Sequence, residues 1–466
     1  MTSPRSLENS AASGRDLLWL KDPEGIHTAA SDAGDALRGV VVDTTSGQIV
    51  ELVAAGAEPG AYDRVFDASA HVILPGLVNT HHHFYQTLTR AWGPVADAEL
   101  FPWLQGLYPV WARLTPAALE SAVTVAVAEL LLSGCTTAAD HHYLFPSGMA
   151  EAIDIEVDVV RRMGTRALLT RGSMSLGQED GGLPPQSTVQ PHDVILEDSR
   201  RVVERYHERG ADARIRIALA PCSPFSVTRE LMRDTAALAS ELDVRLHTHL
   251  AETIDEEDFC REMFGLRTVD YLESVGWLSD RTWLGHAIHL DDSEVARLGA
   301  AGVGVAHCPT SNMRLGSGTC RALEFEDAGS PVGLGVDGSA SNDGSNMIEE
   351  VRSALNIQRL AAGPSAVPVA RALNWATRGS ARALGWEGIG VLEPGARADL
   401  ALFTRDELRF AGSHDPVASL VLCGAHRADR VMVDGAWVVE DGAIPGLDLE
   451  RVMARQREEA VRLVGE

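Results

Sequence analysis

Lysine is almost missing from this sequence of 466 residues: Lys21 stands alone and every other basic residue is arginine, a habit that a GC-rich genome explains. Paired cysteines are missing too. Cys135, Cys222, Cys260, Cys308, Cys320 and Cys423 are scattered without a CxxC pair, which argues against a zinc ribbon or a disulfide framework. No apolar stretch is long enough to cross a bilayer. The opening, MTSPRSLENSAASGRD, has no basic region followed by an apolar run, so no signal peptide is expected and the cytoplasm is the expected location. Positive charge is short overall: 40 Lys and Arg face 66 Asp and Glu, a formal net charge of -26. Such a field disfavours nucleic acid and anionic membranes as partners, and says little about a small neutral ligand.

What is present suits a globular enzyme. Hydrophobic residues make up 45% and charged residues 23%, so a large core can form without a disulfide or structural metal. The polar start, to about residue 15, is expected to fray. Short β-like runs follow at Arg38–Asp43 and Gln48–Val53, and similar ones recur at Ala398–Phe403 and Arg430–Val439. Two β-rich flanks around a different centre predict one small β-sandwich domain built from both termini, residues 1–74 and 393–466, the latter with a terminal helix.

The centre, residues 75–392, alternates strands with helices. Apolar β-compatible runs recur at Val72–Val78, Thr136–Ala139, Ala167–Thr170, Ile215–Ala220, Val244–Leu250, Thr282–Ile288, Val303–Cys308 and Val332–Val336. The clearest helix starts at Thr115 as N-cap, has Pro116 in its first turn and stops at Gly134. Eight such runs predict an α/β fold, a (β/α)8 TIM barrel. A doubly wound open sheet would carry a glycine fingerprint after its first strand, where this chain reads Asn79-Thr-His-His-His83 instead.

Polar residues gather where those runs end. After the first come His81, His82 and His83. The fifth carries His247 and His249, with Glu252 three residues on; the sixth ends at His286, with His289 beyond. The seventh ends at His307 and the eighth at Asp337. The C-terminal strand ends of such a barrel meet at one face, so these groups converge. Alternate side chains of a strand point the same way, which turns His81 and His83 together and His82 away. Three imidazoles and a carboxylate suit one divalent cation, zinc or iron(II), with room for water.

The pattern resembles the amidohydrolase superfamily. Pro75-Gly-Leu-Val-Asn-Thr-His-His-His83 is similar to its opening metal motif. His247-Thr-His-Leu-Ala-Glu252, Gly285-His-Ala-Ile-His289, His307-Cys-Pro-Thr-Ser-Asn312 and Val336-Asp-Gly-Ser-Ala-Ser-Asn342 resemble its later motifs in order. Pro394-Gly-Ala-Arg-Ala-Asp-Leu-Ala-Leu402 resembles the return to the β domain. The likeness runs over roughly residues 35–440 and points to the branch of purine deaminases and triazine hydrolases. It implies His81, His83, His249 and Asp337 as metal ligands, with Glu252, His286 and Asp337 in catalysis. Many members bridge two metals through a carbamylated lysine. With Lys21 the only lysine, that route to a binuclear site is closed.

The expected chemistry is hydrolytic removal of an amino group from a nitrogen heterocycle. Asp337 would accept the proton of metal-activated water, Glu252 would shuttle it to a ring nitrogen, and His286 would orient the nucleophile. Gln86 resembles a glutamine with which guanine deaminases read the purine edge; an amide matches a lactam. Trp92, Phe101, Trp103, Tyr108 and Trp111 are dense for a chain only 5% aromatic. Trp103 is taken as a stacking candidate, the others chiefly as packing. Guanine deaminases carry a Ser-Pro-Arg-like motif where this chain has Pro221-Cys-Ser-Pro-Phe-Ser226, so another base or another grip is indicated. His81–Gln86, Ala139-Asp-His-His-Tyr143 and Pro221–Phe225 resemble 8-oxoguanine deaminases, with Cys222 and His142 as further pocket candidates. His82 and His289 are expected to pack or to support other groups, and His307 to cap a loop or touch substrate. The segment from Arg171 to Asp193 is a candidate loop over the site. The implied substrate is a small heteroaromatic, 8-oxoguanine foremost, with guanine, isocytosine, a pterin or a triazine as alternatives, and the implied assembly is a homo-oligomer. A non-catalytic barrel is the reading of another class, and every expected ligand is retained against it.

Overall fold

The computed structural model describes residues 14–30 and 37–465; most of the stretch expected to fray lies outside them. Two sheets form the small domain. One has strands in the order Gln48–Ala54, Leu37–Asp43, Leu17–Lys21 and Arg64–Asp67; the other has Ala436–Val439, Arg430–Val433, Leu400–Thr404, His71–Pro75 and Gly25–Ile26. The second sheet therefore joins both ends of the chain. Strand alternation turns Leu18, Leu20, Val40 and Val42 inward against Ile73, Leu400, Leu402 and Met432, while Trp19 packs on the opposite face with Val41 and Val53. Lys21 lies at the end of its strand in this small domain, its ammonium over the Trp19 ring.

Eight parallel strands make the barrel: β1 (Leu77–Asn79), β2 (Cys135–His142), β3 (Arg166–Ser173), β4 (Ile215–Pro221), β5 (Leu246–Leu250), β6 (Thr282–His286), β7 (Gly304–His307) and β8 (Val332–Leu334). The β1–β8 seam closes largely beyond the strands. Thr80 N–H donates to Leu334 O at 2.9 Å and Asp337 N–H to His81 O at 3.0 Å, while Val336 N–H donates to the Asn79 side chain at 2.9 Å.

The run expected as one strand, Val72–Val78, is divided. His71–Pro75 belongs to the five-stranded sheet and only Leu77–Asn79 enters the barrel. Pro75 lacks an N–H to continue a ladder, and at Gly76 a Cβ would fall 2.1 Å from the Thr136 hydroxyl. The chain changes sheets at this Pro-Gly pair.

The helix Pro116–Leu132 forms as expected, with Thr115 Oγ1 accepting from Ala118 N–H at 3.2 Å. It is apolar nearly all round because the terminal helix Leu449–Val464 covers its outer side. No helix among the described residues is long and apolar enough to cross a membrane.

Candidate metal centre and active site

The C-terminal ends of β1, β5, β6 and β8 bring His81, His83, His249, His286 and Asp337 to one place. Two of the five, His286 and Asp337, take positive φ, at 68° and 62°, as do the neighbouring Ala251 and Ala287 at 53° and 50°, a region costly for residues with a Cβ and concentrated at functional sites.

The tautomers follow from the outer hydrogen bonds. His83 Nδ1 faces His141 O at 2.8 Å and His249 Nδ1 faces Cys222 O at 2.6 Å. A carbonyl only accepts, so both Nδ1 atoms carry hydrogen. His247 Nδ1 likewise donates to Trp283 O at 2.8 Å, which leaves its Nε2 to accept from His81 Nδ1 at 2.7 Å. All three Nε2 atoms are therefore bare lone pairs, and they converge. His83 and His249 Nε2 stand 3.1 Å apart, and Asp337 Oδ1 lies 3.4 Å from His81 Nε2 and 3.3 Å from His83 Nε2. Burial holds all three imidazoles below their ordinary titration range, His83 at about 3. His81 Nε2 is buried with no hydrogen-bond partner among the described residues. Lone pairs aimed at one another and at a carboxylate repel unless a cation sits among them, so this donor set fits one divalent ion.

Asp337 and His286 sit beside it. Burial pushes the Asp337 carboxyl up, yet His81, His286 and His83 hold it well below the usual range. Its Oδ2 accepts from Ser311 Oγ at 2.6 Å and Ser341 Oγ at 3.2 Å. His286 Nε2 lies 3.4 Å from Glu252 Oε2 and 3.9 Å from Asp337 Oδ2, and its Nδ1 meets Asn312 Oδ1 at 2.9 Å. Burial works against charge on His286, but Glu252 and Asp337 raise its affinity for a proton. Glu252 is itself raised by burial, and Ser317 Oγ donates to it at 3.1 Å.

One pocket opens onto this cluster, walled by His83, Gln86, Trp103, Tyr108, Tyr143, Cys222, Phe225, His249, Glu252, His286, Leu315 and Asp337, with Leu100 and Leu104 above. Gln86 fits beneath the Asp337–Gly338 turn, where a Cβ on Gly338 would fall 1.9 Å from its amide oxygen. Burial pushes the Cys222 thiol up to about 12, which makes it a small uncharged wall.

The structure thus brings together Gln86, Trp103 and Cys222 with the five groups at the strand ends and Glu252. His142 is the exception. It alternates with the inward His141 and points away from the pocket, its Nδ1 3.0 Å from Glu156. His82 also turns outward, to Ser345 Oγ at 2.9 Å. His289 steadies Ser317 through its carbonyl at 2.7 Å, and His307 meets Gln358 at 3.2 Å; neither lines the pocket. The loop after β3 contributes nothing to the lining either. Leu183 N–H donates to Phe225 O at 3.1 Å, so that loop backs the wall from outside. The cover comes from the helix Leu100–Trp111, which turns Trp103 and Tyr108 inward. His141 was missed: it stacks on His249 with centroids 4.7 Å apart and brings a ring nitrogen within 4.8 Å of those of His81, His83 and His249. Its place at the end of a barrel strand was the available signal.

Residues 72–438 match the amidohydrolase family. The chain belongs to that family. It is 64% identical over 447 residues, 96% of this chain and 99% of the relative, to the 8-oxoguanine deaminase of Pseudomonas aeruginosa PAO1. It is 34% identical over 431 residues, 88% of this chain and 89% of the relative, to an isoxanthopterin deaminase from an unknown prokaryotic organism. Among solved structures it resembles the atrazine chlorohydrolase of Arthrobacter aurescens TC1 complexed with zinc, with a TM-score of 0.89, 32% identity and coverage of 95% of this chain and 99% of that one.

Proposed function

We propose that this chain is an aminohydrolase that removes the C2 amino group of 8-oxoguanine, giving uric acid and ammonia. One divalent cation, zinc in this proposal, would be held by His81, His83, His249 and Asp337. The observation that carries the reading is the convergence of three Nε2 lone pairs on Asp337 Oδ1, beside His286 and Glu252. When bound, such an ion supplies the Lewis acidity that lowers the pKa of water from 15.7 to about 7.

The side chains do the rest. Asp337 takes the proton that water gives up, its second oxygen steadied by Ser311 and Ser341. Glu252, favoured as a carboxylic acid by burial, delivers a proton to the ring nitrogen next to C2 as the carbon becomes tetrahedral. His286, between the two carboxylates, steadies the attacking oxygen. The new C–O bond stays, the amino group takes the proton that Asp337 accepted, the C–N bond breaks to release ammonia, and the remaining hydroxyl proton returns Glu252 to its acid form. Gln86 reads the lactam edge while the Trp103, Tyr108 and Phe225 rings hold the heterocycle flat.

The 64% identity to a named 8-oxoguanine deaminase supports this substrate. The pterin and triazine relatives supply the rivals. The test is ammonia release by zinc-loaded protein from 8-oxoguanine, guanine, isocytosine, isoxanthopterin and amino-triazines side by side, with chloride release from chloro-triazines. Preference for 8-oxoguanine is expected. A better pterin or triazine would replace the substrate, and turnover of none with zinc bound would overturn the activity. The proposal includes a cytoplasmic homo-oligomer without nucleic-acid or membrane partners, to be checked by light scattering and fractionation.

A further inference from the structure

We propose that Asp140, backed by Glu156 and His142, is a positioning residue that anchors the backbone beside His83 and so aims the Nε2 lone pair of that imidazole. The inference rests on the reading of His83 as a metal ligand.

Three hydrogen bonds tie the end of β2 to the segment that follows β1. His141 N–H donates to His82 O at 2.7 Å, His83 Nδ1–H to His141 O at 2.8 Å, and Phe84 N–H to Asp140 Oδ1 at 2.6 Å. His83 is thus held on both sides: its ring through the His141 carbonyl, its backbone through the carboxylate that receives the next amide. Phe84 also opens the two-turn 3-10 helix Phe84–Thr89, whose N-cap residue His83 makes no capping side-chain bond. Asp140 supplies that acceptor from a neighbouring strand. The same turn carries Gln86, so one carboxylate orients both a candidate ligand and a candidate substrate contact.

Asp140 is in turn braced from behind. Asp140, His142 and Glu156 are buried to 1%, 0% and 0% exposure and bring one ligand-type atom each within 4.8 Å of one another. No arginine or lysine forms an ion pair with any of them among the described residues. His142 Nε2–H donates to Leu144 O at 2.8 Å, and its Nδ1 lies 3.0 Å from a Glu156 carboxyl oxygen without the alignment of a hydrogen bond. Burial pushes Glu156 up to about 8 and Asp140 well above the usual range, so the cluster keeps a proton of its own rather than borrowing a countercharge. It does not line the pocket at the strand ends. Among the described residues, its hydrogen bond toward the active site is the one from the Phe84 amide.

The experiment compares wild type with Asp140→Ala, Asp140→Asn and Glu156→Gln for zinc affinity by chelator competition, for kcat and KM, and for thermal midpoint. Asp140→Ala is expected to weaken zinc ~10–100-fold and lower kcat comparably with KM little changed, the scale of losing support behind a metal ligand. Asp140→Asn, whose amide oxygen still accepts from Phe84, and Glu156→Gln should both stay within about 3-fold of wild type. Should Asp140→Ala not fold, Glu156→Leu removes the brace while keeping Asp140. It should weaken zinc several-fold at an unchanged thermal midpoint. The inference is overturned if Asp140→Ala or Glu156→Leu binds zinc like wild type, or if Asp140→Asn is as poor as Asp140→Ala. Wild type that neither binds zinc nor releases ammonia would sink the functional reading instead, so the two failures are distinct.

Discussion

Two buried groups of ionisable side chains lie on either side of strand β2, and they are neutralised by different means. On the inner side, His81, His83 and His249 spend every Nδ1 hydrogen outward and leave bare Nε2 atoms facing Asp337. On the outer side, His142 Nδ1 and Glu156 lie 3.0 Å apart, and burial pushes the Glu156 carboxyl up to about 8, toward its neutral form. The first arrangement is repulsive until a cation enters; the second is relieved because burial favours its carboxyls in the neutral form. The same residue types in the same dry interior thus make a metal centre or a brace, depending on where the hydrogens point.

Removing the cation tests the contrast most severely. Extraction with a strong chelator should lower ammonia release by at least ~10⁴-fold, and zinc should restore it. Full activity of metal-free protein would erase the distinction between the two clusters. Glu252→Gln comes next: a ~10²–10⁴-fold fall in kcat is expected with one metal still bound per chain, checked by metal analysis beside kinetics. Loss of the metal in that variant would move Glu252 from proton transfer to ligation.

Gln86→Leu spares every group of both clusters and removes the proposed lactam-reading amide, along with the acceptor of the Ala340 N–H. KM for 8-oxoguanine should rise by about 10-fold, the cost of one lost hydrogen bond at a buried polar edge. An unchanged KM would take Gln86 out of recognition. The smallest effect on turnover belongs to the outer cluster, which is read through stability instead. Glu156 is raised to about 8 from an ordinary 4.5, so the fold favours its protonated form. That contribution is complete below the unfolded value and is lost as pH rises through the folded one, by up to ~1.4 kcal/mol per pH unit. The stability advantage of wild type over Glu156→Gln should therefore shrink between pH 5 and pH 8 in calorimetry. A gap independent of pH would show that Glu156 ionises alike in the folded and unfolded chain.

Much of the inner cluster was legible because strand alternation is a local rule. His81 and His83 share a face two residues apart, and the same rule places His247 beside His249, where it accepts from His81. Less legible was anything that depends on which strand lies alongside. The Pro221–Phe225 resemblance marks Cys222 as a pocket candidate, and it lines the pocket, but nothing in the sequence shows that its carbonyl orients His249. The resemblance of Ala139-Asp-His-His-Tyr143 to 8-oxoguanine deaminases points to His142 as a pocket candidate, but one step along the strand from His141 turns it to the other side of the sheet. The loop after β3 has the composition of a cover, while the cover is the apolar helix Leu100–Trp111, whose aromatic residues read equally well as core.

By itself the sequence determined the class of chemistry: HxH pairs at strand ends, a terminal aspartate, and no lysine that a second bridged metal would require. It also determined the alternation that builds the barrel, since hydrophobic period and capping residues act over a few positions. Only the tertiary structure decided which nitrogen of each histidine carries hydrogen, that Asp140 reaches the Phe84 amide, and that the run through Pro75 and Gly76 splits between two sheets. Those outcomes depend on acceptors brought from distant segments, and a hydrogen bond between residues far apart in the chain leaves no periodic trace in either one.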